Sequence, residues 1–600
     1  MKIMKRYIPV ILIIGSLFTW SCSEGFLERY PLDELAPQDF FNSPEELQIY
    51  ANRFYVLLPA HQGYFNTFYV DANSDNLVPA EFDMRLAGTR TVPSSVSATT
   101  VNTRFSIVYG WNWADIRQAN YFLEHCNKAT GTPEDLKQYI GEVRFFRAFL
   151  YFDKVKTFGD VPWISKTTNT TSPELYIPRT SRKVVTDSII ADLDIAISYL
   201  KPAAQANAFR INKEVAMLLK ARVCLYEGTW EKYHSGTPLG VSGSDGSQFI
   251  QKAAEVADQL MQTNAHSIYK GPAGREYWSL FNQLDYTGNP EVMLWKKYDI
   301  GLQITHNVAR YMAGGIGQIG MSKGLIDSYL CTDGKPISIS PLFLGYDSLL
   351  MEATNRDPRL QQSVFLPGDD QRINGPGGTL NVKFEKPTLD GMGEFRNTTG
   401  FAIYKGVNPD YSQSSNDNVG TQGSIIFRYA EALLIYAEAK AEMGNITQAD
   451  VDRTINRLRD RVGMIHLDIN NISTDPNWDY PTLSPVINEI RRERRVELSC
   501  EGSRWDDLAR WRAHHLIVGK RLKGAKYTGT NLDGAYKDAQ GNPSIVIGVN
   551  LYVDANGFID PYQNVFPNGF GFDPNRDYLS PIPSDEITLN DKLVQNPGWE

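Results

Sequence analysis

The chain has 600 residues, 42% of them apolar and 22% charged, an ordinary globular composition with material for several cores or one large composite one. A net charge of −9 argues against the basic surface that nucleic acids require and leaves uncharged ligands open. Aromatic residues reach 12%, with 31 Tyr and 11 Trp, which points to aromatic surfaces beyond the core.

The chain opens with Lys2, Lys5 and Arg6, followed by the nearly unbroken apolar run Ile8 to Trp20 and then Ser21-Cys22. About a dozen apolar residues are too few for a stable bilayer span and have the form of an export signal. A small residue before Cys predicts a signal peptide over residues 1–21 and a lipid on Cys22, although Thr19 and Trp20 stand where Leu and a small residue are usual. Ordinary cleavage without lipid, or an uncleaved anchor, are the alternatives. No later run is long enough for a second span. The remaining cysteines, Cys126, Cys224, Cys331 and Cys500, are too far apart for a disulfide framework or a zinc pattern and read as buried free thiols.

Helical periodicity appears over 113–128 and strongly over 139–158. In the latter, Tyr139, Val143, Phe146 and Leu150 form one stripe and Phe145, Phe149 and Phe152 widen it, so the helix is buried against more than one neighbour. Gly159 and Pro162 end it. Further helices are expected over 182–200, 212–230, 248–263, 427–443 and 448–462. Ser484-Pro485 caps another, running to about Cys500. Consecutive amphipathic helices with short polar joints suggest a tetratricopeptide-like scaffold, with plain helical packing as the alternative. Residues 60–110, 265–420 and 520–583 are instead rich in Gly, Pro, Asn, Asp, Ser and aromatics without steady periods. The expected fold is therefore mainly α: helix pairs packed against a large, irregular, loop-rich half with a few short strands.

The charged helix around 489–501 places Arg494 among Ile487, Ile490 and Leu498, where a guanidinium must be paired. Glu497, one turn on, is the expected partner, and Glu493 or Glu501 would serve Arg492, Arg495 or Arg504. Glu493 and Glu497 as an acid–base pair fit poorly, because so many arginines keep both ionised. No H-E-x-x-H pair, G-x-S-x-G elbow or P-loop occurs. The run Asp554 to Asp560 lacks the spacing and closing Glu of a calcium loop and reads as a hairpin turning at Asn556-Gly557.

Four blocks in order resemble the SusD/RagB family. They are Glu142 to Phe152 with Phe158-Gly159-Asp160-Val161-Pro162; Arg428 to Ala439; Ile490 to Leu498 with Glu501 to Trp511; and Tyr578 to Pro583 with Gln595 to Trp599. Trp599 stands where the family has Tyr. The resemblance implies a surface-exposed, lipid-anchored outer-membrane protein of Bacteroidetes that binds glycans and caps a TonB-dependent, SusC-like transporter. It implies a mainly helical fold without a catalytic centre; no cofactor or metal site is expected from the residues. The expected regions are 1–21 for the signal, 22–250 for an N-terminal part with helix pairs, and 251–600 for a C-terminal part forming one unit with it.

A glycan site needs ring faces for C–H stacking and polar groups at the rim. Two stretches hold both: Tyr69 to Arg85, preceded by Phe65 and Phe68 and followed shortly by Tyr109, Trp111 and Trp113; and Tyr269 to Tyr311. Trp113 and Trp295 read as core. Trp111, Trp278 and Tyr286 are the expected stacking platforms, with Asp75 and Arg85 as hydrogen-bond partners. A helical scaffold that binds peptides or proteins, and a glycoside hydrolase, are the competing readings.

Overall fold

The computed structural model describes residues 40–63, 65–96, 110–313 and 318–600; the expected leader and Cys22 lie outside the described residues. The longer helices of the first stretch are α1 (Pro44–Asn52), α2 (Ala114–His125), α3 (Pro133–Phe158), α4 (Arg182–Tyr199), α5 (Lys213–Tyr233) and α6 (Ser247–Gln262). Thr132 caps α3 by accepting from the Asp135 amide, Pro133 fits its first turn, and Gly159 ends it at φ 73°. Val143, Phe145, Phe146, Leu150 and Phe152 are all buried, so α3 is enclosed on most of its circumference. Consecutive helices α3 to α6 pack in sequence, each on the next, and α7 (Ala430–Glu442), from far along the chain, docks on α6. Then follow α8 (Ile455–Val462), α9 (Pro485–Glu497) and α10 (Arg504–Arg510).

Two helix expectations need correction. The run expected from 427 begins as strand β6 (Ser424–Arg428), antiparallel to β2 (Val292–Lys296) with Val292 opposite Arg428; the helix starts only at Ala430. The run 448–462 breaks into Gln448–Asp452 and α8, because Thr454 is non-helical (φ −127°, ψ −87°). Its hydroxyl bonds back to the Asp450 carbonyl at 2.6 Å, offering the backbone an alternative to the helical ladder.

The irregular half holds the other short strands. β1 (Leu77–Pro79) pairs antiparallel with β3 (Ile319–Met321), and β4 (Asp370–Arg372) with β5 (Val382–Lys383). The Asn556-Gly557 turn forms as expected, with Val553 bridged to Ile559 and Gly557 at φ 82°. The main apolar core joins residues as distant as Val143, Leu218, Leu434 and Leu593, while a second core, with Phe68, Tyr277, Phe281 and Phe365, underlies the irregular half. Cys126, Cys224, Cys331 and Cys500 are buried free thiols.

Charge stitches the two halves. Glu497, fully buried on α9, takes Arg461 at 2.5 Å, Arg428 at 2.8 Å and Arg359 at 3.0 Å. Burial pushes its carboxyl up, but Arg461, Arg428 and Arg359 outweigh this and hold it well below the usual carboxylate range. Arg494 therefore does not use Glu497; it turns to Asp507 at 2.8 Å. Glu493 takes Arg359 and Arg459, Arg492 takes Asp475, and Glu501 takes Lys405 and Arg428. The expected ion network exists, but its partners come mostly from other elements rather than from the neighbouring helical turn.

Candidate binding groove between the two halves

Three helices of the body turn mixed faces toward the irregular half. Phe149, Asp153 and Lys156 follow the i, i+4, i+7 rule on α3; Arg222, Leu225 and Tyr226 share a face of α5; Glu431 and Ile435 share one of α7. Opposite them stand Phe65, Phe68, Arg85, Phe281 and Tyr286, with Trp505 of α10 at one end. The space between encloses about 350 Å³, within the size range of small-ligand sites, ~300–1,000 Å³.

Backbone proximity helps shape the walls. A Cβ on Gly423 would come within 2.8 Å of the Tyr286 ring, and one on Gly502, at φ 78°, within 2.8 Å of Val70. Only glycine fits at either place.

Most of the groove's charges are matched internally. Lys156 meets Asp506 at 2.9 Å, and Arg222 grips Glu431 with two bonds of 2.6 Å. Arg494 and Arg510 hold Asp507. Burial pushes the carboxyl of Asp153 up, with Lys156 opposing. Four buried polar atoms of lining residues find no hydrogen-bond partner among the described residues: Arg85 Nε, Arg494 Nη1, Asn73 Oδ1 and the Tyr286 hydroxyl. Buried donors and acceptors are ordinarily satisfied, so these four mark where a guest or water belongs.

The structure sorts the five expected contact residues sharply. Arg85 lines the groove, half-buried, its guanidinium 4.3 Å from the centroid of the Trp505 ring. Tyr286 lines it too, but at 2% exposure its ring is packed edge-to-face on Trp295 at 5.5 Å and offers no open face. Trp278 lies apart from the groove, half-buried, stacked on Tyr404 at 5.1 Å with Arg275 4.9 Å away. Its indole N–H donates to the Tyr404 carbonyl at 3.2 Å.

Trp111 and Asp75 are corrections. Trp111 is 2% exposed and sits edge-on to Phe158 at 4.9 Å and Trp113 at 5.4 Å, inside the helical body. Asp75 is buried and spans Arg504, at 2.6 and 2.8 Å, and Arg495, at 3.0 Å. Burial raises its carboxyl, but Arg495 and Arg504 prevail and bring it down to about 2. Trp295 is core as expected, and Trp113 packs half-buried against the core. Phe149, Arg222 and Trp505 were not singled out as contact residues. The available signal was Phe149, Asp153 and Lys156 recurring at the spacing of one helix face, a ring and two charges on the same side of α3.

Comparison with known proteins gives one answer along the whole chain. The profile described as the SusD family matches residues 282–599, and the profile described as "Starch-binding associating with outer membrane" matches residues 25–225. A SusD-like protein of Formosa agariphila is 23% identical over 608 residues, covering 99% of this chain and 100% of its own. The crystal structure of a SusD-like carbohydrate binding protein from Bacteroides fragilis superposes with a TM-score of 0.68 at 21% identity, over 92% of this chain and 100% of the other. A structure solved with a xylogluco-oligosaccharide superposes with a TM-score of 0.58 at 17% identity, over 91% and 97% of the two chains. A helical body of consecutive pairs, a loop-rich half and two matching profiles lead to one conclusion: the chain belongs to the SusD family.

Proposed function

We propose that this protein is a surface-exposed, outer-membrane lipoprotein, anchored through Cys22, that binds oligosaccharides in the groove between its two halves and passes them to a SusC-like, TonB-dependent transporter. It binds and releases; it does not cut. Family membership supports the cargo class, as do a relative named for carbohydrate binding and another solved with a xylogluco-oligosaccharide. The observation that carries the reading is the groove's set of orphaned atoms: donors on Arg85 and Arg494, an acceptor on Asn73 and the Tyr286 hydroxyl. A sugar hydroxyl both donates and accepts, so it satisfies such a mixed set where a purely anionic or cationic guest would not. Phe65, Phe149 and the Arg85–Trp505 stack supply apolar and π surface for the C–H faces of a pyranose. Glu431, Asp506 and Asp507 are each held by a cation, an arrangement for positioning rather than for acid catalysis.

The test is a glycan-array screen followed by calorimetric titration of the best oligosaccharide against wild type, Arg85→Ala and Phe149→Ala. Each variant is expected to lose about tenfold or more in affinity, or ~1.4 kcal/mol, while its melting temperature stays near wild type. Unaltered affinity in both variants, or an array without any bound glycan, would defeat the proposal.

A further inference from the structure

On the far side of α10 lies a second cavity of about 290 Å³, lined by the short helix Lys323–Ser328, the loops at 336–338 and 475–480, and α9. Asp475 ties these parts together. It accepts from the Ser338 hydroxyl at 3.0 Å, the Asn477 amide at 2.9 Å and Arg492 at 2.7 Å. Arg492 in turn lies 5.1 Å from the centroid of the half-buried Trp478 ring and braces the indole at the cavity wall.

The floor is built but unfinished. Arg491 is 2% exposed; one terminal nitrogen donates to Glu442 at 3.0 Å, while Nε and Nη1 have no hydrogen-bond partner. The Tyr480 hydroxyl, on a residue 5% exposed, has none either, and Asp327 Oδ1 is likewise buried and unmatched although its other oxygen holds Lys323. Such atoms cost free energy unless a guest or water satisfies them. The set contains donors, an acceptor and a hydroxyl that can act as either.

The charges of the lining cancel. Asp327, Asp475 and Asp479 face Arg491, Arg492 and Arg504. An anion would meet carboxylates there, and a cation would meet guanidinium groups. A neutral guest carrying many hydroxyls suits both the mixed hydrogen-bonding set and the charge balance, and an indole at the wall suits a pyranose face.

We propose that the Trp478 pocket is a second binding site, specific for an uncharged sugar unit. It rests on the reading given under Proposed function only in taking carbohydrate as the cargo; the two linings have no residue in common, although both draw on α9 and α10. The test is ¹⁹F NMR of the mature chain labelled with 5-fluorotryptophan, with the Trp478 and Trp505 signals assigned from Trp478→Phe and Trp505→Phe. The probes are the methyl pyranosides of glucose, galactose, mannose and xylose, with glucuronate and glucosamine as charged counterparts.

At least one neutral glycoside is expected to shift the Trp478 signal saturably, more tightly than either charged sugar. Asp327→Ala, which removes a half-exposed carboxylate, is expected to weaken that binding about tenfold. A Trp478 signal unmoved by all four glycosides overturns the proposal. So does equal or tighter binding of a charged sugar, or full affinity in Asp327→Ala. The Trp505 signal reports the groove separately. If it alone moves, the second site fails and the groove reading stands; if Trp478 alone moves, the groove assignment fails and the second site stands.

Discussion

Asp75 was expected at a ligand and is found between two arginines, and the two roles predict opposite outcomes for Asp75→Ala. The substitution strips Arg504, 2% exposed, of both bonds its guanidinium makes to a carboxylate. Arg495 keeps Asn76 at 2.9 Å and Asp479 at 3.3 Å. Breaking a buried pair from one side costs about 3–5 kcal/mol, chiefly because a charge is left behind unpaired. With unfolding entropy near 2.1 cal/mol/K per residue, 4 kcal/mol corresponds to roughly 3 °C if the body melts as one unit, and to more if it melts in parts. The pH dependence is a second check. A carboxyl lowered from 3.8 to about 2 contributes stability that is complete above the unfolded value and is lost as pH falls through about 2, roughly 2.5 kcal/mol in all. Asp75→Asn should remove about this much, and less than Asp75→Ala. The assay is thermal unfolding by calorimetry beside oligosaccharide titration well below the melting temperature. The structural reasoning fails if Asp75→Ala melts with wild type yet no longer binds sugar, since that is the behaviour of a ligand contact.

Two further substitutions separate framework from site. Trp111→Ala should destabilise by about 3–5 kcal/mol, read by chemical denaturation, while the folded fraction keeps its glycan affinity; lost affinity at unchanged stability would return Trp111 to the site. Glu352 is 3% exposed, and burial, assisted by Asp327, pushes its carboxyl up to about 8. A raised acid favours the fold below its unfolded value and weakens it as pH climbs toward 8, so Glu352→Gln should match the wild-type unfolding free energy near pH 5 and exceed it by several kcal/mol at pH 9. Parallel melting curves across that range would show that Glu352 is ionised in the fold.

The helical half was largely legible because its signals are local. The Tyr139–Val143–Phe146–Leu150 stripe and Gly159 at the end of α3 are readable without knowing any neighbour, and the Phe145–Phe149–Phe152 stripe announces burial on two sides; the Thr132-Pro133 start, ahead of the expected Tyr139, was missed. α10 was missed: its seven residues, RWDDLAR, are mostly charged and carry less than two apolar turns. The charge partners were also out of reach. Arg494 has Glu497 one turn away, yet Arg461, Arg428 and Arg359 converge on that carboxylate from three other segments and leave Arg494 to Asp507. The aromatics failed for the same reason. Trp111 and Tyr286 have the right chemistry for sugar, but whether a ring face meets solvent depends on Phe158 and Trp295, residues that the chain brings together only in three dimensions.

The short helix that the sequence concealed organises both cavities. Consecutive helical residues point about 100° apart, so Arg504 and Trp505 diverge from one backbone. Arg504 enters the wall of the Trp478 pocket, and Trp505 closes one end of the groove beneath Arg85. Asp75 fixes the first of these, and Asp507, one turn along, fixes α9 through Arg494 and α7 through the Arg510–Glu438 bridge. Under the proposed function, a protein that must release its cargo gains little from tight contacts, but it does require contacts that stay in register with one another. The buried ion pairs meet that requirement without contributing much net stability: each needs its partner in one place, and together they hold a single charged turn between two pockets whose own polar atoms remain unmatched.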